Sequence, residues 1–263
     1  ALLAAAPSSV ACGDSLTWRG EALPDASKQY DIVLTNPPFG SKIVAVSKRD
    51  QNSFALGHQW KMGRDGTFAM TDRLTSNPPP QVLFVERCLE LLKDGGRLGI
   101  VLPESLISSK SHRFVMEYLR QRAEIQAVIG MPEDLFKVSG SGGTHTKTCL
   151  VLARKNPQEG EDEPAPIFMA EVKRCGKDSR GRSVFPDELP TVVTRWNAVQ
   201  TGRPIVADHL SYLVPQSEVV DGILAPRYYN PAVAQELAAL SETHDLIPVQ
   251  ELLDAGVLEI RTG

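Results

Sequence analysis

Residues 31–39 read DIVLTNPPF, a strand-forming run that passes straight into Asn-Pro-Pro-Phe. The apolar, β-branched stretch from Tyr30 to Thr35 predicts a buried strand. Proline has no N–H, and the residue before a proline is driven towards extended backbone. Asn36, Pro37 and Pro38 therefore make a stiff exit whose backbone offers carbonyl acceptors and a single donor, the N–H of Asn36. The Asn36 side chain adds an amide oxygen. Such a segment suits a ligand that presents both hydrogens of one planar –NH2 group. Phe39 then supplies an apolar face on which a flat base can stack. At the C-terminal end of a parallel strand, the segment falls in the crevice where open α/β sheets bind ligands. The chain carries its own comparison in Asn77-Pro78-Pro79-Pro80. That stretch follows no predicted strand and precedes no aromatic, and reads as a turn leading into a helix.

Working outward, residues 40–80 are polar and weakly periodic, with glycine and charge intermixed, and read as a mobile excursion with at most short helices. Val82, Val85, Leu89 and Leu92 recur at helical spacing, and Gly95-Gly96 is expected to end that helix. RLGIVLP (97–103), IQAVIGMP (125–132) and KTCLVLARK (147–155) predict strands. A helix over 110–123 separates the first two, and the Gly-rich turn SGSGGTH joins the last two. This order predicts an α/β protein, a Rossmann-like, mostly parallel sheet with an antiparallel edge hairpin, incomplete at its N-terminus. Residues 1–155 are expected to form the main body and 156–166, acidic and Pro-rich, a linker. Residues 167–263 read as a small α+β extension: a strand in IFMAEVKRC, a basic turn in GKDSRGR, and a helix capped by Asn230 with Pro231 at its first position. The basic run KRCGKDSRGR fits a solvated turn or a DNA contact.

The composition narrows the classes. The 263 residues carry a net charge of -4, with 42% hydrophobic and 23% charged residues, enough for one substantial core plus a smaller body. No apolar run approaches the ~20 residues of a membrane span. Cys12, Cys88, Cys149 and Cys175 are far apart with no C-x-x-C pair, which argues against zinc and disulfides and for a reducing cytoplasm. The five histidines are scattered, so no metal site is expected. Mild acidity argues against wholesale coating of nucleic acid but leaves room for local basic patches.

DIVLTNPPF resembles the motif of amino-methyltransferases that use S-adenosylmethionine, and its Phe resembles the DNA N6-adenine enzymes among them. ACGDSL, at 11–16, resembles the segment whose Asp contacts the cofactor's adenine. KDGGRLGIVLPESLI and MPEDLFKVSGSGGTHTKTCLVLARK are similar to the later strands of the modification subunit of type I restriction systems. IFMAEVKRCGKDSRGR and LAPRYYNP resemble the approach to a DNA target-recognition region in fused relatives. The family's Gly-rich cofactor loop has no counterpart here, since Ser15, Leu16 and Thr17 follow ACGD where more glycine belongs. That loop is expected upstream of Ala1.

The resemblance implies methyl transfer from S-adenosylmethionine to the N6 amine of adenine in DNA. It places Asn36, Pro37, Pro38 and Phe39 at the reacting base, and Asp14, Ser15, Leu16 and Asn36 at the cofactor. The amine is a poor nucleophile because its lone pair is delocalised into the ring. Acceptors at Asn36 and the Pro37 carbonyl would hold both hydrogens and favour a pyramidal nitrogen. The base must leave the helix, with Phe39 stacking as partial compensation. The excursion over 41–80 is the expected lid, with Lys42, Lys48 and Arg49 towards phosphates. Implied partners are double-stranded DNA with a flipped adenine, a specificity subunit or fused recognition domain, and a restriction subunit, with no membrane. Methylation of a protein glutamine or of RNA guanine stays open, as does a non-catalytic fragment that binds DNA or a specificity subunit. GDSLT at 13–17 also suggests a hydrolase with Ser15 as nucleophile, but no histidine follows an Asp by three positions.

Overall fold

The run before Asn36 is a strand, β1 (Tyr30–Thr35), in the computed structural model of the chain, but it is not the buried strand expected: it lies at one edge of its sheet, and among the described residues Tyr30, Ile32 and Leu34 are exposed. The structure describes residues 12–17, 29–39, 46–133, 135–136, 146–155, 165–178 and 180–259. Helix α1 (Lys48–Gln51), a hairpin of β2 (His58–Met62) and β3 (Phe68–Leu74), and helix α2 (Pro80–Leu91) lead to β4 (Leu92–Pro103). Helices α3 (Glu104–Ser108) and α4 (Arg113–Arg120) precede β5 (Ala123–Gly130) and β6 (Thr148–Lys155). Then come β7 (Ile167–Glu171), a second hairpin of β8 (Cys175–Lys177) and β9 (Ser183–Asp187), and helix α5 (Leu189–Gln200). Strand β10 (Ser211–Val214) and helices α6 (Pro231–Ser241) and α7 (Val249–Asp254) follow.

Six strands form one sheet in the order β1-β4-β6-β5-β7-β10. Strands β1, β4, β5 and β7 point one way, and β6 and β10 run against them. The α/β class and the adjacency of the four predicted strands are as expected. The position of the antiparallel hairpin is not. Strand β6 is bonded on both sides, between β4 and β5, so it lies inside the sheet. Its apolar run Cys149–Ala153 has residues to bury on both faces, which suits an interior strand. The antiparallel edge is instead the four-residue β10, short as edge strands tend to be.

Side-chain alternation divides the core between the two faces. Val128 and Met169 pack with α2, α3 and α4 on one face, while Ala127, Ile129, Phe168 and Ala170 pack with Val192 of α5 on the other. A register shift in β5 between Ile125 and Ala127 puts Ile125 and Val128, three apart, on the same face. Residues 167–171, placed by sequence in the extension, thus form a sheet strand parallel to β5. IFMAE is apolar enough to be covered on both sides.

Three local readings need correction. Residues 46–75, read from sequence as part of a mobile excursion, hold the β2–β3 hairpin and are fastened to the core, while 40–45 lie outside the described residues. Phe54 and Leu56 are fully buried, and the Glu86 carboxylate accepts from the Ala55 and Leu56 amides at 2.9 and 2.8 Å. Gln51 Nε2 donates to the Gly57 and Thr75 carbonyls, both at 2.7 Å. Trp60 stacks on Phe114, with ring centroids 6.1 Å apart. These anchors are spaced irregularly among polar residues, so they produce no period to read. Gly95-Gly96 does not end α2, which stops at Leu91. Gly95, at φ +73°, instead takes a left-handed turn near the start of β4, where the pairing with β1 shifts register. The helix expected over 110–123 is a 3-10 turn followed by α4, and Ala123 already begins β5.

Two expectations hold as written. Asn77, at φ 50°, makes the turn that leads into α2. Asn230 caps α6 by accepting from the Ala232 amide at 3.0 Å.

Helix α5 is fastened to the start of β10 by a two-pronged ion pair. Arg195 donates to Asp208 Oδ1 at 2.6 Å and Oδ2 at 2.8 Å. Asp208 Oδ1 also accepts from the Leu210 and Ser211 amides at 2.9 and 3.1 Å. The Arg195 hydrogen bond outweighs burial and holds the Asp208 carboxyl well below the usual range. Its native pKa lies under the unfolded value of ~3.9, so its stabilisation is complete above that value and is lost as pH falls through the native one. Asp208→Asn should therefore cost ~1–2 kcal/mol in urea unfolding at neutral pH, a figure reduced for partial exposure. The gap from the parent should narrow as the solution is acidified below pH ~4. A gap independent of pH contradicts this account.

Candidate active site

The final pairing of β1 sets Thr35 beside Ile100 of β4, so Asn36 emerges at the C-terminal edge of the parallel strands. Pro37 is buried and roots the segment, while Asn36 and Pro38 are exposed. Among the described residues nothing hydrogen-bonds the Asn36 side chain, which leaves its amide oxygen open to a ligand. Phe39 is half-buried and faces Phe136, with ring centroids 6.2 Å apart and planes at 65°. Phe136 belongs to the loop after β5, three strand positions from β1, or about 14 Å. The six residues from 131 to 136 reach ~20 Å at most, so this loop runs back across the strand ends to meet Phe39. The second aromatic wall was missed from sequence. Its partner is nearly a hundred residues away in a loop, where no periodicity connects them.

The Asp14 segment is a tight turn. Asp14 Oδ1 accepts from the Leu16 amide at 2.9 Å, and Thr17 Oγ1 donates to the Asp14 carbonyl at 3.1 Å. Leu16 is buried in the core, and the Ser15 carbonyl accepts from Arg87 Nε at 3.0 Å. Leu16 and Ser15 thus anchor the turn, while the Asp14 carboxylate stays exposed. Lys48 and Arg49 are exposed in α1. Lys42 lies outside the described residues. Among the described residues no three potential ligands cluster to hold a metal ion, and no helix is long and apolar enough to cross a membrane.

A charged cluster that sequence reasoning did not find occupies the same sheet edge. Glu104 follows β4, Lys147 precedes β6, and Glu171 ends β7. Lys147 pairs with Glu171 and stands 3.2 Å from Glu104 Oε2, while Arg227 meets Glu104 Oε1 at 2.7 Å. Burial alone would pull the Lys147 ammonium down, but the hydrogen bonds and charges of Glu171 and then Glu104 hold it above its ordinary value. Gly130 leaves room for this pairing, since a Cβ there would stand 2.5 Å from Glu171 Oε2. A cleft of about 460 Å³ opens above the cluster, between the loop at 131–135 and the segment 172–178.

A family model described as N-6 DNA methylase matches residues 4–229. The methylase subunit of the type I restriction enzyme StySPI from Salmonella potsdam is 24% identical over 216 residues, 80% of this chain and 35% of that protein. The corresponding EcoKI subunit of Escherichia coli K12 is 24% identical over 181 residues, 67% of this chain and 28% of that protein. The chain thus spans about a third of the length of these relatives or less. Among solved structures, the methyltransferase subunit of a type I restriction-modification system from Streptococcus thermophilus shares the fold, with a TM-score of 0.56. Its sequence is 20% identical, and the match covers 81% of this chain and 40% of that one.

Proposed function

We propose, from the premise that this chain belongs to the N-6 DNA methylase family, that it methylates the N6 amine of adenine in DNA with S-adenosylmethionine, as the modification component of a restriction-modification system. The observation that carries this is the placing of Asn36-Pro37-Pro38-Phe39 where β1 ends, with the Asn36 oxygen open and Phe39 facing Phe136. S-adenosylmethionine supplies, when bound, a methyl group on a positively charged sulfur. The described residues suit it, because Asp14 presents an exposed carboxylate to an amine such as that of the cofactor's adenine. Ser15 and Leu16 hold that carboxylate in place, and Asn36 borders both ligands.

In this reading Asn36 Oδ1 and the Pro37 carbonyl accept the two hydrogens of the target amine and draw its lone pair out of the ring. Preorganised acceptors of this kind need no rearrangement as charge develops. Phe39 and Phe136 hold the flipped base by its face and edge, which offsets part of the unstacking cost. Lys42, Lys48 and Arg49 meet phosphates, and the segment 46–75 walls the base. The chemistry belongs to the body built on the six-stranded sheet, which takes in β7 and β10, and the residues after β10 lead towards a target-recognition region. The partners are duplex DNA, a specificity subunit or fused recognition domain, and a restriction subunit.

The test is product analysis. Full-length protein, duplex DNA and labelled S-adenosylmethionine should give label in N6-methyladenine after digestion to nucleosides. Label confined to N4-methylcytosine, to RNA guanine or to a protein glutamine overturns the assignment.

A further inference from the structure

The methyl-transfer chemistry makes no use of the β8–β9 hairpin, although it rises from the active-site edge. It follows the C-terminal end of β7, four strand positions from β1, or about 19 Å from Asn36. The loop that carries Phe136 to Phe39 also lines the cleft beneath the hairpin, so one continuous surface joins them. Every residue of β9 is exposed, and Phe185 is 84% exposed.

A two-stranded ribbon that buries so little is marginal alone, yet this one is firmly tied. Asp178 accepts from the Arg180 and Arg182 amides, both at 2.9 Å, and from Arg182 Nε at 2.7 Å. At the root, Glu188 accepts from the Lys173 and Arg174 amides at 2.7 and 3.0 Å. These bonds occupy two of the three acids that residues 173–188 set against five cations, in a chain of net charge -4. The third acid, Asp187, accepts from the Leu189 amide at 3.1 Å, and Glu133 stands across the cleft. Lys173, Arg174, Lys177 and Arg180 are exposed and, among the described residues, carry no ion pair.

We propose that this ribbon is a DNA-docking element that lies in the major groove beside the target adenine. Lys173, Arg174, Lys177 and Arg180 meet backbone phosphates, and Phe185 packs on base edges. The major groove of B-form DNA admits a two-stranded β-ribbon, an exposed Phe suits a thymine methyl there, and the N6 amine of adenine lies on that edge. The inference rests on the DNA-methylation reading given above.

Duplex binding by the full-length protein, followed by fluorescence anisotropy across a KCl series, tests it. The variant K173Q/R174Q/K177Q/R180Q should show a log–log salt slope shallower than the parent's by roughly 3–4, at ~0.9 per lost phosphate contact. Arg154→Gln, at the opposite end of the sheet, should keep the parent slope. A photo-crosslinking benzoylphenylalanine in place of Phe185 should label bases flanking the methylated adenine. A quadruple variant with the parent slope, or crosslinks absent from those bases, overturns the docking role and leaves the methylation reading intact. A parent that neither binds duplex nor forms N6-methyladenine overturns both.

Discussion

Asn36→Ala is expected to lower adenine methylation by roughly 10²–10³-fold, or ~2.7–4 kcal/mol in the transition state, the effect of removing one preorganised hydrogen-bonding group. Duplex affinity should change little, because the substitution leaves Phe39, Phe136 and the cations in place. The exposure of Asn36 and its lack of a partner among the described residues mean that no fold contact is lost with it. Phe39→Ala should behave differently, weakening capture of the flipped base by ~1–3 kcal/mol on the stacking scale. Phe39→Trp should retain more activity than Phe39→Ala. Single-turnover methylation and duplex binding measured side by side separate the two roles. Near-parent methylation by Asn36→Ala would sink the mechanism.

Lys147→Met is expected to destabilise the fold by ~3–5 kcal/mol, as removal of one partner from a buried ion pair typically does. The Lys147 side chain is 21% exposed and those of Glu104 and Glu171 are 5% and 12% exposed, so neither acid can turn to water. Arg227 remains on Glu104 in the variant, which leaves Glu171 as the stranded charge. The midpoint of thermal unfolding should fall by on the order of 10 °C for a chain of this size. Adding Glu171→Gln to the variant should recover part of the loss. Because the native Lys147 pKa is raised, its contribution is complete below the unfolded value of ~10.4 and disappears as pH rises through the native one. The parent should therefore approach the variant in stability in strong alkali. A Lys147→Met protein as stable as the parent at neutral pH contradicts the cluster's role.

The sequence was most legible where one segment sufficed. The Tyr30–Thr35 run, the Asn-Pro-Pro stop and the apolar strands could be read because period, β-branching and proline act locally. The Asn230 cap and the Asn77 turn were legible for the same reason. The place of β6 was not, because hairpin chemistry shows that two strands pair and says nothing of a third strand on the far side. The β2–β3 hairpin escaped because Ala55 and Leu56 are held by Glu86, and Trp60 by the Ala55 carbonyl and Phe114, contacts that leave no trace in spacing. In the site, Asn36 and Phe39 were visible, whereas Phe136 and the Lys147 cluster come together only through the sheet order.

The pinning of residues 46–75 by Phe54, Leu56, Gln51 and Glu86 has a calorimetric and kinetic consequence. If this segment walls the target base as proposed, it is already folded before the ligand arrives and contributes no coupled folding to binding. The share of this segment in the heat-capacity change on duplex binding should then track contact area alone, without the excess that accompanies the ordering of a disordered segment. Association should be governed by encounter and charge, with no slow conformational step imposed by this segment.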